Sequence, residues 1–136
     1  WAMISMETRK PADLLTLHGG AIVDYVCVKD CPIDKPGRIK VSHPELVGEC
    51  QVKYSDIDLN GHVNSIKYIE HILDLFPMEM FREKRIRRFE MAYVAESYYG
   101  DTLSFYREQT GENEYDVEVK KNGSEVVVRS KVIFRD

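Results

Sequence analysis

The sequence predicts an α+β domain in which an antiparallel sheet wraps around one amphipathic helix. Two observations support this prediction. Apolar residues recur at helical spacing between positions 63 and 76, and the residues after 84 alternate between apolar and polar in runs bounded by turn residues. With 136 residues the chain has room for one core.

The composition is that of an ordinary globular protein, with 43% hydrophobic and 31% charged residues. No apolar run approaches the ~18 residues of a membrane span, and no signal-peptide pattern opens the chain. The net charge of −4 argues against a nucleic-acid partner.

The chain has three cysteines, Cys27, Cys31 and Cys50, and no secretory signal. An odd number of cysteines without such a signal predicts reduced thiols in a cytoplasmic protein. Since the pair at 27 and 31 has no matching second pair, we expect no zinc site and no other cofactor.

The first half of the chain carries weak signals. "WAMISMET" alternates like a half-buried strand and lacks an initiator methionine, so we expect interior residues of a longer protein. "RKPADLLTLHGG" predicts a turn at Pro11 and one or two helical turns that end at Gly19-Gly20. From Ala21 to Gly48, prolines and glycines recur among short apolar pieces, which predicts an ordered connector that lies over a core with little regular structure.

From Glu49 onwards the spacing of apolar residues indicates regular secondary structure. "ECQVKYS" alternates and predicts a strand. A helix is predicted from Val63 to Phe76, because apolar residues share one face and Pro77 stops the helix. His71 lies near the polar boundary of this helix and is predicted to be a surface residue.

The remaining residues predict antiparallel strands. "RRFEMAYVAES" and "TLSFYREQT" alternate on either side of a turn at Tyr99-Gly100-Asp101. "EYDVEVKKNGSEVVVRSKVIFRD" predicts a hairpin with a type I′ turn at Asn122-Gly123.

The segment "YSDIDLNGHVNSIKYIEHILDLFP", residues 54–77, places Asp58, Asn60 and His62 where a strand turns into the helix. The first N–H groups of a helix lack intrahelical partners and carry partial positive charge, so they can polarise a carbonyl or stabilise an oxyanion. A histidine, an amide and a carboxylate add a proton shuttle, an orienting donor and a base. Helix capping and a tight Asn-Gly turn are the alternative explanation, but they do not account for His62 or Asn64.

This segment resembles the active-site segment of the acyl-acyl-carrier-protein thioesterases of plants and bacteria, with their pattern D-[LIVM]-D-x-N-x-H-V-N-N-x-K-Y-I. It resembles more loosely the D-x-D-x-x-G-H-V-N-N-x-x-Y signature of hotdog-fold acyl-CoA thioesterases. The carrier-protein family places an acidic residue a fixed distance beyond the histidine, and Glu96 in "YVAESYYGD" stands 34 positions after His62. The resemblance implies the C-terminal hotdog of a tandem-hotdog protein. Residues 1–18 would end a truncated N-terminal hotdog, residues 19–48 would be the interdomain connector, and residues 49–136 would form the C-terminal catalytic hotdog.

The resemblance implies hydrolysis of acyl-acyl-carrier-protein, which releases free fatty acid and ends fatty acid synthesis, with no cofactor. Asp58, Asn60, His62 and Glu96 take the catalytic positions, with either Asp58 or Glu96 as the base. Asp56 is expected to be a supporting or surface carboxylate. Because Ser97 stands where some members have a cysteine, attack by water is favoured over a thiol nucleophile, with an acyl-serine as the alternative.

Five of the 19 basic residues fall within seven positions: Arg82, Lys84, Arg85, Arg87 and Arg88. They are a candidate docking surface for an acidic acyl carrier protein, and a solvated strand start is the alternative. Two other functions stay open, an acyl-CoA thioesterase and a non-catalytic acyl-binding hotdog. A lone hotdog would expose a sheet edge, so we expect a homodimer or pairing with an N-terminal hotdog.

Overall fold

The structure is a computed structural model that describes residues 3–136. The chain divides into two compact units, of which the first ends at Lys35 and the second is Pro36–Asp136. Among the described residues, no helix is long and apolar enough to cross a membrane.

The first unit contains little regular structure. Strands β1 (Met3–Ile4) and β2 (Pro11–Ala12) pair antiparallel, so the turn lies at residues 6–8 rather than at Pro11 as predicted. The predicted first strand is therefore short, and its first two residues lie outside the described residues.

A 3₁₀ helix, Leu14–Tyr25, follows and is capped by the Asp13 side chain. The helical turns predicted before Gly19-Gly20 are present and end there as predicted, because residues 17–20 have non-helical backbone angles and both glycines have left-handed φ values, 68° and 85°. A second helical stretch, which the sequence did not predict, follows up to Tyr25.

The second unit is built on one antiparallel sheet. Its strands are β3 (Glu45–Gln51), β4 (Arg85–Tyr93), β5 (Thr102–Gly111), β6 (Glu114–Lys121) and β7 (Glu125–Arg135), in the order β3-β5-β6-β7-β4. All the strands predicted here are present, although β3 begins four residues earlier than predicted. Asn122 and Gly123 both have positive φ, 50° and 81°, as the predicted type I′ turn requires.

Two helices lie between β3 and β4. Helix α1 (Ser65–Leu73) begins two residues later than predicted, because the Asn64 side chain caps it by accepting the Ile66 N–H at 3.0 Å. It ends at Leu73, three residues before the predicted end at Phe76. A short helix, α2 (Met78–Glu83), follows Pro77, and the sequence did not predict it.

The core lies between α1 and the sheet. Tyr68 and Ile72 of α1, together with Phe76 after it, pack against buried side chains of the sheet: Phe105, Val117, Val119, Val128, Val132 and Phe134. A sheet packed around one helix in this way is the predicted α+β hotdog arrangement.

Residues 26–44 contain no helix or strand, as predicted for the connector. Ile39 is buried, and the Gly37 and Ser42 N–H groups donate to the carboxylates of Glu90 and Glu108, at 3.2 and 2.7 Å. Since Glu90 belongs to β4 and Glu108 to β5, the second half of this segment is tied to the sheet at two places.

We expect Ile72→Ala to lower the free energy of unfolding by about 2–5 kcal/mol, because Ile72 is fully buried and its loss leaves a cavity. Ile66→Ala is the matched control on the same helix, since Ile66 is 54% exposed, and its effect should stay within about 0.5 kcal/mol. Denaturant titrations measure both. Equal losses would contradict the packing described here.

Candidate active site

Three of the predicted catalytic residues, Asp58, Asn60 and His62, lie on a closed loop, residues 57–63, which we call the site loop. Its ends are joined by an isolated antiparallel bridge between Ile57 and Val63. Inside this bridge the Asp58 N–H donates to the His62 carbonyl at 2.9 Å, and the Gly61 N–H donates to the Asp58 carbonyl at 3.1 Å. Gly61 has a φ of +80°, so the tight turn that the sequence predicts here depends on a left-handed residue.

Asp58 and Asn60 are joined to each other within the site loop. Asp58 is half-buried, and its Oδ1 accepts the Asn60 N–H at 2.8 Å, while the Asn60 side chain is exposed. This bond is an ordinary Asx turn. The helix cap is Asn64, so the expectation that capping does not account for Asn64 is wrong, and capping of α1 does not explain Asp58 and Asn60.

His62 and Glu96 are in direct contact. His62 Nε2 lies 3.3 Å from Glu96 Oε2, and the two side chains are 23% and 46% exposed. Glu96 comes three residues after the end of β4, and beside it the Ser97 carbonyl accepts the Val63 N–H at 2.9 Å. Residues 34 positions apart therefore meet beside the start of α1. The convergence of all four predicted side chains on one substrate stays a prediction.

Two further residues adjoin this pair and were not found from the sequence. The Tyr98 hydroxyl donates to Glu96 Oε2 at 3.1 Å, and its ring packs edge-on to the His62 ring at 5.3 Å. Lys121 Nζ donates to the Glu96 carbonyl at 2.8 Å. The sequence pattern contains no signal for either contact, because Tyr98 lies in a turn segment and Lys121 in a distant hairpin.

Asp56 and His71 form a second histidine–carboxylate pair. Asp56 is buried, so it is not a surface carboxylate, and its supporting role stays a prediction. The prediction that His71 lies on the surface is wrong, since its side chain is only 25% exposed. His71 Nε2 is 3.4 Å from Asp56 Oδ1, and its ring lies 6.0 Å from that of Phe105. A histidine at the polar boundary of a helix can turn inward when a buried carboxylate faces it.

Neither Ser97 nor Cys50 is placed as a nucleophile. Ser97 is 1% exposed and lies beside the Tyr68 hydroxyl, whose pKa is raised by burial, an effect that the Ser97 side chain partly opposes. Burial, followed by the charge of Asp56, raises the pKa of the Cys50 thiol and keeps it in the poorly reactive protonated form. Within residues 3–136, no group of three or more His, Cys, Asp or Glu side chains could hold a metal ion.

The five basic residues after α1 differ in their surroundings. Arg82, Lys84 and Arg88 each form an ion pair with an acidic residue of the same chain. Arg85 and Arg87 are exposed, and Arg87 occupies an irregularity between Ile86 and Arg88 in the pairing of β4 with β7.

A sheet wrapped around a helix is the hotdog arrangement, and here the histidine–carboxylate pair lies beside the start of that helix. Residues 40–135 match the family described as acyl-ACP thioesterase C-terminal domain. The chain belongs to this family.

Relatives with known names agree with this assignment. The chain is 33% identical over 99 residues to a chloroplastic dodecanoyl-[acyl-carrier-protein] hydrolase of Cinnamomum camphora, a match that covers 69% of the chain and 26% of that protein. It is 67% identical to the crystal structure of an acyl-ACP thioesterase from Bacteroides thetaiotaomicron, with a TM-score of 0.87 over 97% of the chain and 53% of that structure. A 12:0-ACP thioesterase from Umbellularia californica, 23% identical with a TM-score of 0.75 over 97% of the chain and 52% of that structure, shares the fold. The chain thus spans about half of these structures and about a quarter of the curated relative.

Proposed function

We propose that the chain is the catalytic part of an acyl-acyl-carrier-protein thioesterase, which hydrolyses the acyl thioester, releases free fatty acid and ends fatty acid synthesis. The observation that carries the proposal is the His62–Glu96 contact beside the start of α1, inside the segment that matches the family. The family names of the relatives support the same reaction.

The domain assignment made from the sequence is part of this proposal. Residues 1–18 would end an N-terminal hotdog, residues 19–48 would connect the domains, and residues 49–136 would carry the site. We propose a cytoplasmic location on the basis of the reduced cysteines.

In the proposed reaction, water attacks the thioester carbonyl carbon and gives its proton to a carboxylate, that of Asp58 or Glu96. The Asn60 amide and backbone N–H groups near the start of α1 hold the carbonyl oxygen as it becomes negative. The bond between carbon and sulfur then breaks, and the leaving pantetheine sulfur takes a proton from His62, which regains one from the carboxyl group that accepted the proton of water. In the alternative, His62 orients the attacking water, and that carboxyl group gives its proton to the sulfur. The Tyr98 hydroxyl, 3.1 Å from Glu96 Oε2, would help to hold this carboxylate in place.

We expect Glu96→Gln or Asp58→Asn to reduce turnover of acyl-carrier protein by ~100-fold or more, the usual scale for loss of a general base. The change in kcat is measured by release of free thiol from the full-length protein that carries this chain. The variant with the larger loss identifies the base.

Ser97→Ala is the matched control for this experiment, and it should change turnover little because the Ser97 side chain is buried. A folded Ser97→Ala protein without activity would favour an acyl-serine mechanism over attack by water.

The same assay separates the alternative functions. Acyl-carrier protein and acyl-CoA are supplied side by side to the full-length protein. Faster release from acyl-CoA would favour an acyl-CoA thioesterase, and release from neither would favour a non-catalytic acyl-binding hotdog.

We further propose that an acyl carrier protein docks at the basic cluster formed by Arg82, Lys84, Arg85, Arg87 and Arg88. The exposed side chains of Arg85 and Arg87 support this docking site. The protein as a whole is acidic, but these two arginines form a local positive charge that would attract an acidic partner.

We expect Arg85→Glu with Arg87→Glu to raise the KM for acyl-carrier protein by roughly tenfold at low salt and by less at high salt, because the attraction is screened. Hydrolysis of acyl-pantetheine, which lacks the carrier protein, should not change. Lys29→Glu with Lys40→Glu makes the same charge change at other exposed positions and is the control. An equal rise in the control would assign the effect to net charge rather than to docking.

We also propose that the chain pairs with a second copy of itself, or with an N-terminal hotdog where one is supplied. Strands β3 and β4 are the two edges of an open sheet, and large apolar side chains near the site are exposed, among them Leu59, Tyr93 and Tyr99.

We therefore expect sedimentation or light scattering to find the 136-residue chain as a dimer at micromolar concentration. A stable monomer at that concentration would show that these surfaces need no partner, and the pairing proposal would be wrong.

A further inference from the structure

The Asp56–His71 pair takes no part in the reaction proposed above, yet both side chains are removed from solvent. The Asp56 side chain is 9% exposed and that of His71 is 25% exposed. His71 Nε2 is buried, and the polar atom it faces is Asp56 Oδ1 at 3.4 Å. Burial of a carboxylate is costly unless polar groups face it, and His71 is one such group.

Two of the other hydrogen bonds of Asp56, both made with backbone, bear on the site loop. Its Oδ2 accepts the Lys53 N–H at 2.7 Å, which fixes the carboxylate within the 3₁₀ turn Tyr54–Asp56. Its carbonyl accepts the Asn64 N–H at 2.8 Å. Asn64 is the cap of α1, so this second bond ties the residue before the site loop to the residue after it.

The chain therefore enters the site loop at Asp56 and leaves it at Asn64, and these two residues are hydrogen-bonded to each other. We call this closed end the base of the site loop. Just above this base lies the bridge between Ile57 and Val63, followed by the bond from the Asp58 N–H to the His62 carbonyl. His71 lies two turns along α1 from Asn64. Its contact with Asp56 thus fixes the start of the site loop to the body of the helix, whereas Asn64 fixes only the end of the loop.

We infer that Asp56 and His71 are positioning residues, which act on Asp58 and His62 by holding the base of the site loop against α1. This inference rests on the proposed function. It assigns a role to a carboxylate that lies two residues before the catalytic position Asp58, and to a histidine on the inward side of the helix.

We test the inference first by turnover in the full-length protein. His71→Leu should lower kcat by roughly tenfold and leave KM within about twofold, because small displacements of catalytic groups reduce the rate more than they reduce binding. His71→Gln keeps an N–H that can face Asp56 and should recover most of the loss. Glu70→Ala is the matched control, since Glu70 is exposed on the same helix, and it should change neither constant.

A double-mutant cycle examines the pair itself. If Asp56→Asn and His71→Leu remove one shared interaction, the double variant should lose little more activity than the more impaired single variant. Losses that add in full, or a His71→Gln protein no more active than His71→Leu, would overturn the inference. If His71→Leu does not fold, His71→Asn takes its place, because this side chain is polar but too short to reach Asp56.

A measurement on the 136-residue chain needs no activity. In His71→Leu, the amides of Asp58, Val63 and Asn64 should exchange hydrogen at least about tenfold faster, while core amides such as those of Val117 and Val119 keep their rates. Uniform acceleration would indicate a general loss of stability and would contradict a positioning role.

A parallel turnover assay of Glu96→Gln in the full-length protein distinguishes failure of the proposed function from failure of the positioning role. If this variant keeps full turnover the proposed function fails, whereas if it loses turnover and His71→Leu does not, only the positioning role fails.

Discussion

The burial of α1 against the sheet is the constraint on which the candidate site depends. Ile72 is fully buried and Tyr68 nearly so, and they fix the rotation of the helix about its axis. Since Asn64 caps this helix, its position is fixed as well, and the site loop must leave the core at that end. The same end of the sheet receives the chain after β4, where the Val63 N–H meets the Ser97 carbonyl. Packing in the core thus brings His62 to Glu96.

The His62–Glu96 contact contributes little to stability. Its side chains are 23% and 46% exposed, and pairs of this kind are worth about 0–1 kcal/mol. Backbone hydrogen bonds impose the geometry instead, at Val63 and at Asp58. The fold therefore holds the pair in place without depending on it for stability.

Most of the fold and half of the site geometry could be predicted from the sequence. Apolar residues alternate in the strands and recur at helical spacing in α1 because those residues form the buried face of each element. This periodicity is why the strands and the helix could be predicted. Helix α2 was missed because a six-residue segment, half of it charged, is too short to show a helical period. Glu96 was chosen by its spacing in a known family. Tyr98 was not found because a turn segment has no periodic pattern, although Glu96 is only two residues away. Lys121 was not found and His71 was misplaced because only the fold brings them to their partners.

The Asp-x-Asp spacing in the site segment places two carboxylates in different surroundings. Asp56 closes the base of the site loop and is buried, whereas Asp58 lies within the loop and is half-buried. The Asp56 carboxylate accepts the Lys53 N–H and lies 3.4 Å from His71 Nε2, so it is fixed to the helix. The Asp58 carboxylate accepts the Asn60 N–H of the loop itself. One short segment therefore supplies a carboxylate that is tied to α1 and, in the proposed reaction, a candidate base nearer to solvent.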